Sequence, residues 1–111
     1  MHRSWRLKQR PGPRFPVPDD FEFTEVPLGL EPKEGEVLIR NLFLSVDPYM
    51  RWRMNDAQSY APPVTLGDVM VGTTVAEVLW SRDSGFRAGD RVVAQGGWQS
   101  HACVPAALLR R

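Results

Sequence analysis

A chain of 111 residues is close to the usual size of one domain, and residues 1–111 are predicted to form a single domain with one modest core. Hydrophobic residues make up 42% and charged residues 24%, a composition that excludes an intrinsically disordered chain. The formal net charge of +1 excludes the basic footprint of a nucleic-acid-binding protein, and no apolar run approaches the roughly 18 residues that a membrane span needs. The lone Cys103 excludes an internal disulfide and indicates a reducing compartment, so the sequence predicts a cytoplasmic protein.

The first part of the chain consists of β-prone segments separated by proline and glycine turns. Trp5 and Leu7 alternate with basic residues, which predicts a strand and not a targeting peptide. Turn formers predict loops at 11–20 and 27–35, with a second strand toward residue 26 and a long third strand over 36–46.

The third strand is predicted to stop before Asp47-Pro48. Pro48 cannot donate to a strand ladder but suits the first turn of a helix, which Asp47 can cap. One or two helical turns should then present a mixed apolar and cationic group: Tyr49, Met50, Arg51 and Arg53. Two interpretations stay open, a cluster at the mouth of a cleft or a capped strand-to-helix junction that only packs.

The second part of the chain returns to β-structure. Residues 55–64 predict an exposed excursion, and further strands are predicted over 71–81, 91–95 and 98–104, with another element beginning at 106. About seven short strands and one small helix predict a mainly β fold, a rolled and mostly antiparallel sheet.

Four segments resemble the medium-chain dehydrogenase/reductase superfamily. They are RPGPRFPVPDDFEFTEVPL (10–28), LSVDPYMRWRMNDAQSYAPPV (44–64), SGFRAGDRVVA (84–94) and GWQSHACV (97–104). AGDRV alone is common across the superfamily, whereas DPYMR followed by SYAPP and GWQ is specific. The chain is most similar to the branch of prostaglandin reductases, leukotriene B4 12-hydroxydehydrogenase and bacterial NADP-dependent oxidoreductases. The resemblance covers nearly the whole chain but only the amino-terminal part of the family's chain.

The resemblance implies a GroES-like, partly open β-barrel, the substrate-side domain of a reductase. Family members use NADPH to reduce the C=C bond of an α,β-unsaturated carbonyl compound, an enone or alkenal. The active site lies between this domain and a Rossmann domain, which must be supplied in cis or in trans. No G-x-G-x-x-G follows a strand here, so we expect the isolated chain not to hold NADPH and to be inactive. No residue is predicted to be catalytic.

Zinc is not expected. Zinc-dependent members carry a Cys ligand after the long strand and a His in a G-H-E segment, where this chain has Asp47-Pro48 and Gly67-Asp68. His101 and Cys103 alternate on one strand and share a face, but catalytic zinc needs three protein ligands. A structural role is favoured for both residues, and Cys103 is not expected to be a nucleophile.

The predicted substrate-binding residues are Tyr49, Met50, Tyr60 and Trp98, because aromatic and methionine side chains suit an apolar substrate. Tyr60 matches a substrate-contacting tyrosine of the prostaglandin reductases. The alternative for the other three is burial in the core. Weaker candidates for cofactor contact are Arg51, Arg53 and Gly72, although the arginines equally suit solvated or interdomain ion pairs. Thr73 and Thr74 replace glycines of the family and are expected to narrow the cleft.

Two functional classes therefore stay open. The first is the substrate-side domain of an NADPH-dependent enone reductase. The second is a non-catalytic GroES-like binding or assembly module derived from such a reductase. In either case a face without its neighbouring domain would be apolar and prone to self-association.

Overall fold

Antiparallel strands dominate a computed structural model of the chain, which describes residues 1–55 and 63–111. The six strands of this described part are β1 (His2–Leu7), β2 (Phe21–Val26), β3 (Glu36–Leu44), β4 (Thr74–Ser81), β5 (Arg91–Ala94) and β6 (His101–Pro105). The helical elements are α1 (Tyr49–Arg53) and 3-10 turns at Pro18–Asp20 and Ala106–Leu108.

The strands form two separate sheets, one of two strands and one of four. β1 pairs with β2, and the larger sheet has the order β5-β4-β3-β6, with every pairing antiparallel. Isolated bridges join β1 to the segment before β6 at Ser4–Gln99 and to the segment before β4 at Arg6–Val69. The predicted rolled, partly open and mainly β architecture is confirmed.

Two clusters of buried side chains hold the fold together. The first lies inside the larger sheet, where β4 buries Ala76 and Val78 and exposes Val75 and Leu79 in strict alternation. The second lies under α1 and joins it to β1 through Leu7, Met50, Met54, Val64 and Met70. The short helix is therefore held by tertiary packing, since five residues are too few for an independent helix.

The predicted junction at Asp47-Pro48 is correct in kind and wrong in detail. β3 ends at Leu44, two residues before the predicted end, and the backbone N–H of Ser45 donates to the Thr73 carbonyl at 2.9 Å. Asp47 does not cap α1, because its carboxylate accepts a hydrogen bond from the Ser45 hydroxyl at 2.9 Å. Pro48 itself precedes the first helical residue.

Two other predicted strands were too long. β4 begins at Thr74 and not at residue 71, and β6 begins at His101 and not at residue 98. The intervening segments pair with each other, since Gly97 N donates to Gly72 O at 3.1 Å and Trp98 N to Met70 O at 2.8 Å. The element predicted from residue 106 is a 3-10 turn, so the described chain has one strand fewer than expected.

Candidate functional site

The predicted site residues at the start of α1 differ in burial. Tyr49 is partly buried against the second core cluster, whereas the Met50 side chain is only 2% exposed and belongs to that cluster. Met50 therefore supports the site from beneath and does not line a free surface. Tyr60 falls outside the described residues.

Trp98 forms the centre of the region. Its ring stacks on Phe21 with centroids 5.4 Å apart and an interplanar angle of 26°. Its backbone is bound from both sides, because Trp98 N donates to Met70 O at 2.8 Å and Trp98 O accepts from Trp5 N at 2.8 Å. β1, β2 and the segment before β4 thus fix the position of this tryptophan.

Side-chain hydrogen bonds of Asn41 and Thr74 hold the loop at Gly96 that precedes Trp98, and this group of residues is here called the latch. Asn41 lies at an irregularity in the pairing of β3 with β4, and its Nδ2 donates to Gln99 O at 2.8 Å and to Gly96 O at 3.3 Å. Gly96 N donates to the buried hydroxyl of Thr74 at 3.2 Å. A Cβ added at Gly96 would lie 2.2 Å from Asn41 Oδ1 and 2.5 Å from Thr74 Oγ1. Glycine is therefore required for this latch.

Gly72 allows three side chains of the site to converge. A Cβ at this position would lie 2.6 Å from Leu44 Cδ1, 3.2 Å from Met50 Cε and 3.3 Å from Trp98 Cδ1. The glycine therefore serves internal packing, and the cofactor contact predicted for it stays a prediction.

The two threonines that were expected to narrow the cleft do not act alike. Thr74 is 1% exposed and its hydroxyl faces Gly96, so it occupies core space and not the cleft. Thr73 Oγ1 accepts a hydrogen bond from Gln95 Nε2 at 2.9 Å.

An apolar cleft of about 480 Å³ opens beside Trp98. This volume is within the range of roughly 300–1,000 Å³ that is usual for small-molecule sites. All the described residues that line it are apolar: Trp5, Pro16, Val17, Pro18, Phe21, Leu44, Val46 and Trp98. The cleft therefore suits an uncharged, apolar group.

One wall of this cleft belongs to the segment 9–20, here called the Asp20 loop. The Asp20 side chain is fully buried, and its carboxylate accepts from Arg14 Nη1 at 2.9 Å, from Arg14 Nη2 at 2.6 Å and from Val17 N at 2.8 Å. Gln9 Nε2 adds a fourth bond at 2.9 Å. The hydrogen bonds from Arg14 above all hold the pKa of the Asp20 carboxyl well below its usual range, so the carboxylate is ionised at neutral pH.

The arginines of α1 have structural partners. Arg51 Nη2 donates to Gly12 O at 2.5 Å and to Arg14 O at 2.8 Å, which ties α1 to the Asp20 loop. Nη2 of Arg51 is thus engaged with backbone carbonyls, and the cofactor contact predicted for this residue stays a prediction. Arg53 lines a second, more polar cleft of about 270 Å³ together with Gly72 and Gly96.

The described residues lack the arrangement that usually binds the pyrophosphate of a dinucleotide. A pyrophosphate needs a glycine-rich turn that opens a helix after a strand, and the one α-helix of the described part has five residues and begins at Pro48-Tyr49. The amides of Gly96 and Gly97 are already bonded to Thr74 Oγ1 and Gly72 O.

The groups considered for metal binding and nucleophilic catalysis are half-buried strand residues. Among residues 1–55 and 63–111, no three His, Cys, Asp or Glu side chains are grouped so that they could hold a metal ion. Burial first and His2 next lower the pKa of His101, while burial and then Glu36 raise the pKa of the Cys103 thiol. A raised pKa reduces the thiolate fraction, which argues against a reactive cysteine.

Several residues of the cleft were missed by the sequence analysis: Trp5, Val17, Phe21 and Val46. Trp5 and Phe21 were identified only as strand residues, although large aromatic side chains on short strands are a signal for an exposed wall. Val17 lies between two prolines, a rigid context that indicates a preset loop. No local sequence pattern around Val46 indicated that it lines the same cleft as Val17.

Comparison with known proteins gives consistent matches. Residues 3–111 match the protein family described as the N-terminal domain of oxidoreductase. The chain is 46% identical over 100 residues to the NADPH-dependent curcumin reductase of Escherichia coli, covering 90% of this chain and 28% of the relative. It is 38% identical over 109 residues to prostaglandin reductase 1 of Sus scrofa, covering 98% of this chain and 30% of the relative.

Solved structures agree with the sequence matches. The crystal structure of CurA from Vibrio vulnificus has a TM-score of 0.89 and 42% identity, over 96% of this chain and 31% of that chain. The structure of the same protein in complex with NADPH has a TM-score of 0.85. The chain therefore spans less than a third of the length of these relatives.

Proposed function

Because this chain belongs to the family of oxidoreductase N-terminal domains, we propose that residues 1–111 form the substrate-side domain of an NADP-dependent reductase. The family match and the CurA similarity confirm the resemblance to the medium-chain reductases and the GroES-like, mainly β fold. The relatives named above are NADPH-dependent or prostaglandin reductases. The proposed reaction is reduction of the C=C bond of an enone or alkenal.

The observation that supports this function most directly is the apolar cleft beside Trp98, in a fold that matches CurA with a TM-score of 0.89. The cleft begins where β3 ends, at Leu44 and Val46, so it is continuous with the DPYMR segment that is specific to these reductases. A neutral unsaturated carbonyl compound fits its uncharged lining.

In the proposed reaction, this chain binds the substrate and orients it. Trp98 and Leu44 offer apolar contact, and Met50 and Gly72 set their positions from beneath. Tyr49 and Tyr60 are proposed to orient the carbonyl group through their hydroxyls. Hydride chemistry is assigned to NADPH held by a Rossmann domain in cis or in trans. We expect no proton donor, no zinc and no independent activity in this chain.

Location and assembly are part of the same proposal. No helix of the described residues is long and apolar enough to span a membrane. We propose a cytoplasmic enzyme without nucleic-acid or membrane partners. Exposed apolar side chains at and just after the end of β3, such as Val46 at 75% and Phe43 at 72%, favour self-association of the isolated chain.

A chimera tests the function. The matched first third of CurA from Vibrio vulnificus is replaced by this chain, and NADPH oxidation is followed at 340 nm with a simple enone. We expect turnover by the chimera and none by the isolated chain. Within the chimera, Gly72→Val should abolish turnover, because its side chain collides with Leu44, Met50 and Trp98. Gly29→Ala, where nothing lies within 4 Å, is the matched control.

The outcomes separate the two functional classes. A folded chimera that binds NADPH but turns over no enone would favour the non-catalytic binding module. Turnover by the isolated chain would contradict the proposed division of labour between the two domains.

A further inference from the structure

The wall formed by residues 16–18 of the Asp20 loop is the part of the apolar cleft that the proposed function has not used. Val17 is 43% exposed and lines the same cleft as Leu44 and Val46, which lie at and just after the end of β3. The two walls are 26 or more residues apart in sequence and come together only in the folded chain.

The backbone of this wall is held in one conformation. Pro16 and Pro18 restrict the backbone on each side of Val17. The Val17 N–H is bound to the buried Asp20 carboxylate at 2.8 Å, and Arg14 grips the same carboxylate through two bonds. A group that enters the cleft therefore meets a surface of fixed shape, which is the condition for selection by size.

The wall is also coupled to the rest of the site. Arg51 and Asn55, which lie in and just after α1, donate to Gly12 O at 2.5 and 3.2 Å. Leu44 and Trp98 line the cleft and also meet at Gly72. A molecule seated against Trp98 can thus extend one end toward residues 16–18, which line the same cleft.

The lining determines what that end must be. Apart from the indole N–H groups of Trp5 and Trp98, the described lining side chains carry no charge and no hydrogen-bonding group, so a charged or strongly polar substituent would lose its water with little compensation. An alkyl or aryl substituent meets no such penalty and buries apolar area.

We propose that Val17 is a specificity-determining residue that selects the apolar substituent of the carbonyl substrate, and that Asp20 and Arg14 are positioning residues for it. The inference rests on the proposed function for the identity of the substrate. It assigns discrimination between short and long substituents to the Asp20 loop and not to α1.

The test uses saturated 2-alkanones of increasing length, from 2-butanone to 2-undecanone, because they carry the carbonyl group and the apolar substituent without the reactive double bond. Binding to the purified chain is measured by calorimetry and by tryptophan fluorescence. The affinity should rise about fourfold per added methylene until the cleft is filled.

Three variants locate the discrimination. Val17→Asp should lower the ratio of long-chain to short-chain affinity at least about tenfold, since it places a charge in the apolar wall. Phe15→Asp is the matched control, because Phe15 is in the same loop, is 90% exposed and does not line the cleft. Asp20→Asn should flatten the dependence on chain length, with near-ultraviolet circular dichroism showing that the fold is retained. Val17→Ala is measured as well, in case the charged variant does not fold, and should lower the ratio severalfold.

Each outcome bears on the proposal. A ratio that is equal in Val17→Asp, Val17→Ala and Phe15→Asp would overturn it, as would wild-type affinity that does not depend on chain length. An inactive chimera with an intact length dependence would refute the proposed function and leave the cleft assignment standing. An active chimera whose chain-length preference is unchanged by the Val17 variants would support the proposed function and refute the role of Val17.

Discussion

Replacing Gly96 by alanine should destabilise the fold through the latch that carries Trp98. The added Cβ would lie 2.2 Å from Asn41 Oδ1 and 2.5 Å from Thr74 Oγ1, distances that real Cβ atoms do not show. Thr74 is 1% exposed and Asn41 is partly buried, so neither side chain can move freely.

The expected cost has two parts. Overpacking of a tight site typically costs about 1–3 kcal/mol. Displacing Asn41 and Thr74 weakens their bonds to Gly96 and Gln99, at about 0.5–1.5 kcal/mol for each hydrogen bond lost. With one bond lost, we expect a decrease of about 2–4 kcal/mol in the free energy of unfolding. A chain of this size loses roughly 4 °C in the midpoint temperature of thermal unfolding for each kcal/mol, so this temperature should fall by about 8–16 °C.

The assay is urea unfolding followed by tryptophan fluorescence and by circular dichroism, which must give coincident transitions. Gly29→Ala is the matched control, because nothing lies within 4 Å of its added Cβ and its φ is not positive. If the two alanine variants differ by less than about 0.5 kcal/mol, the latch is not tight and our reasoning about Gly96 is wrong. The double variant with Asn41→Ala should recover part of the loss, as expected for residues in contact.

Three further expectations concern other parts of the chain. Met50→Ala should lower the free energy of unfolding by about 2–5 kcal/mol, because it leaves a cavity where a side chain only 2% exposed is packed. Trp52→Ala is the control, since Trp52 is 64% exposed and its loss should change the free energy of unfolding by less than about 0.5 kcal/mol. Denaturant unfolding compares the two variants, and equal costs would place Met50 outside the core. The lowered pKa of Asp20 contributes stability that is present above its ordinary value near 3.8 and is lost as the pH falls toward the folded-state pKa. The wild type should therefore lose stability below about pH 4 more steeply than Asp20→Asn in acid unfolding followed by circular dichroism, and parallel curves would contradict this. The raised pKa of Cys103 predicts that its alkylation by iodoacetamide has a midpoint above the ordinary value of 9.0, and a midpoint below that value would indicate an activated thiol.

Local patterns of the sequence carried much of the fold. The β-prone residues over 36–46 and 71–81, together with the turn formers around them, predicted the two long central strands, although both strands are shorter than predicted. Asp47-Pro48 predicted a strand that gives way to a helix, since proline removes a ladder donor and suits a helix start. These signals act over a few residues and need no knowledge of distant contacts.

The candidate site was predicted less completely. Trp98, one of the predicted substrate-binding residues, lines the apolar cleft, and its contact with a substrate stays a prediction. Met50 and Trp52 are neighbours on a helix of five residues, too short for periodicity to indicate which side chain is buried. The partners of Arg51 are carbonyls 37 and 39 positions away, which no local pattern reports.

The sequence by itself determined the class of fold, the family and the position of the junction after β3, because propensity, turn chemistry and motif spacing are local properties of the chain. Tertiary structure alone decided which side chains form the cleft. Residues 16–18, Leu44, Val46 and Trp98 come from three separate segments and meet because β1, β2 and the latch at Gly96 fold them against one another. A binding surface assembled across such distances depends on packing and register, and these are set by the whole core.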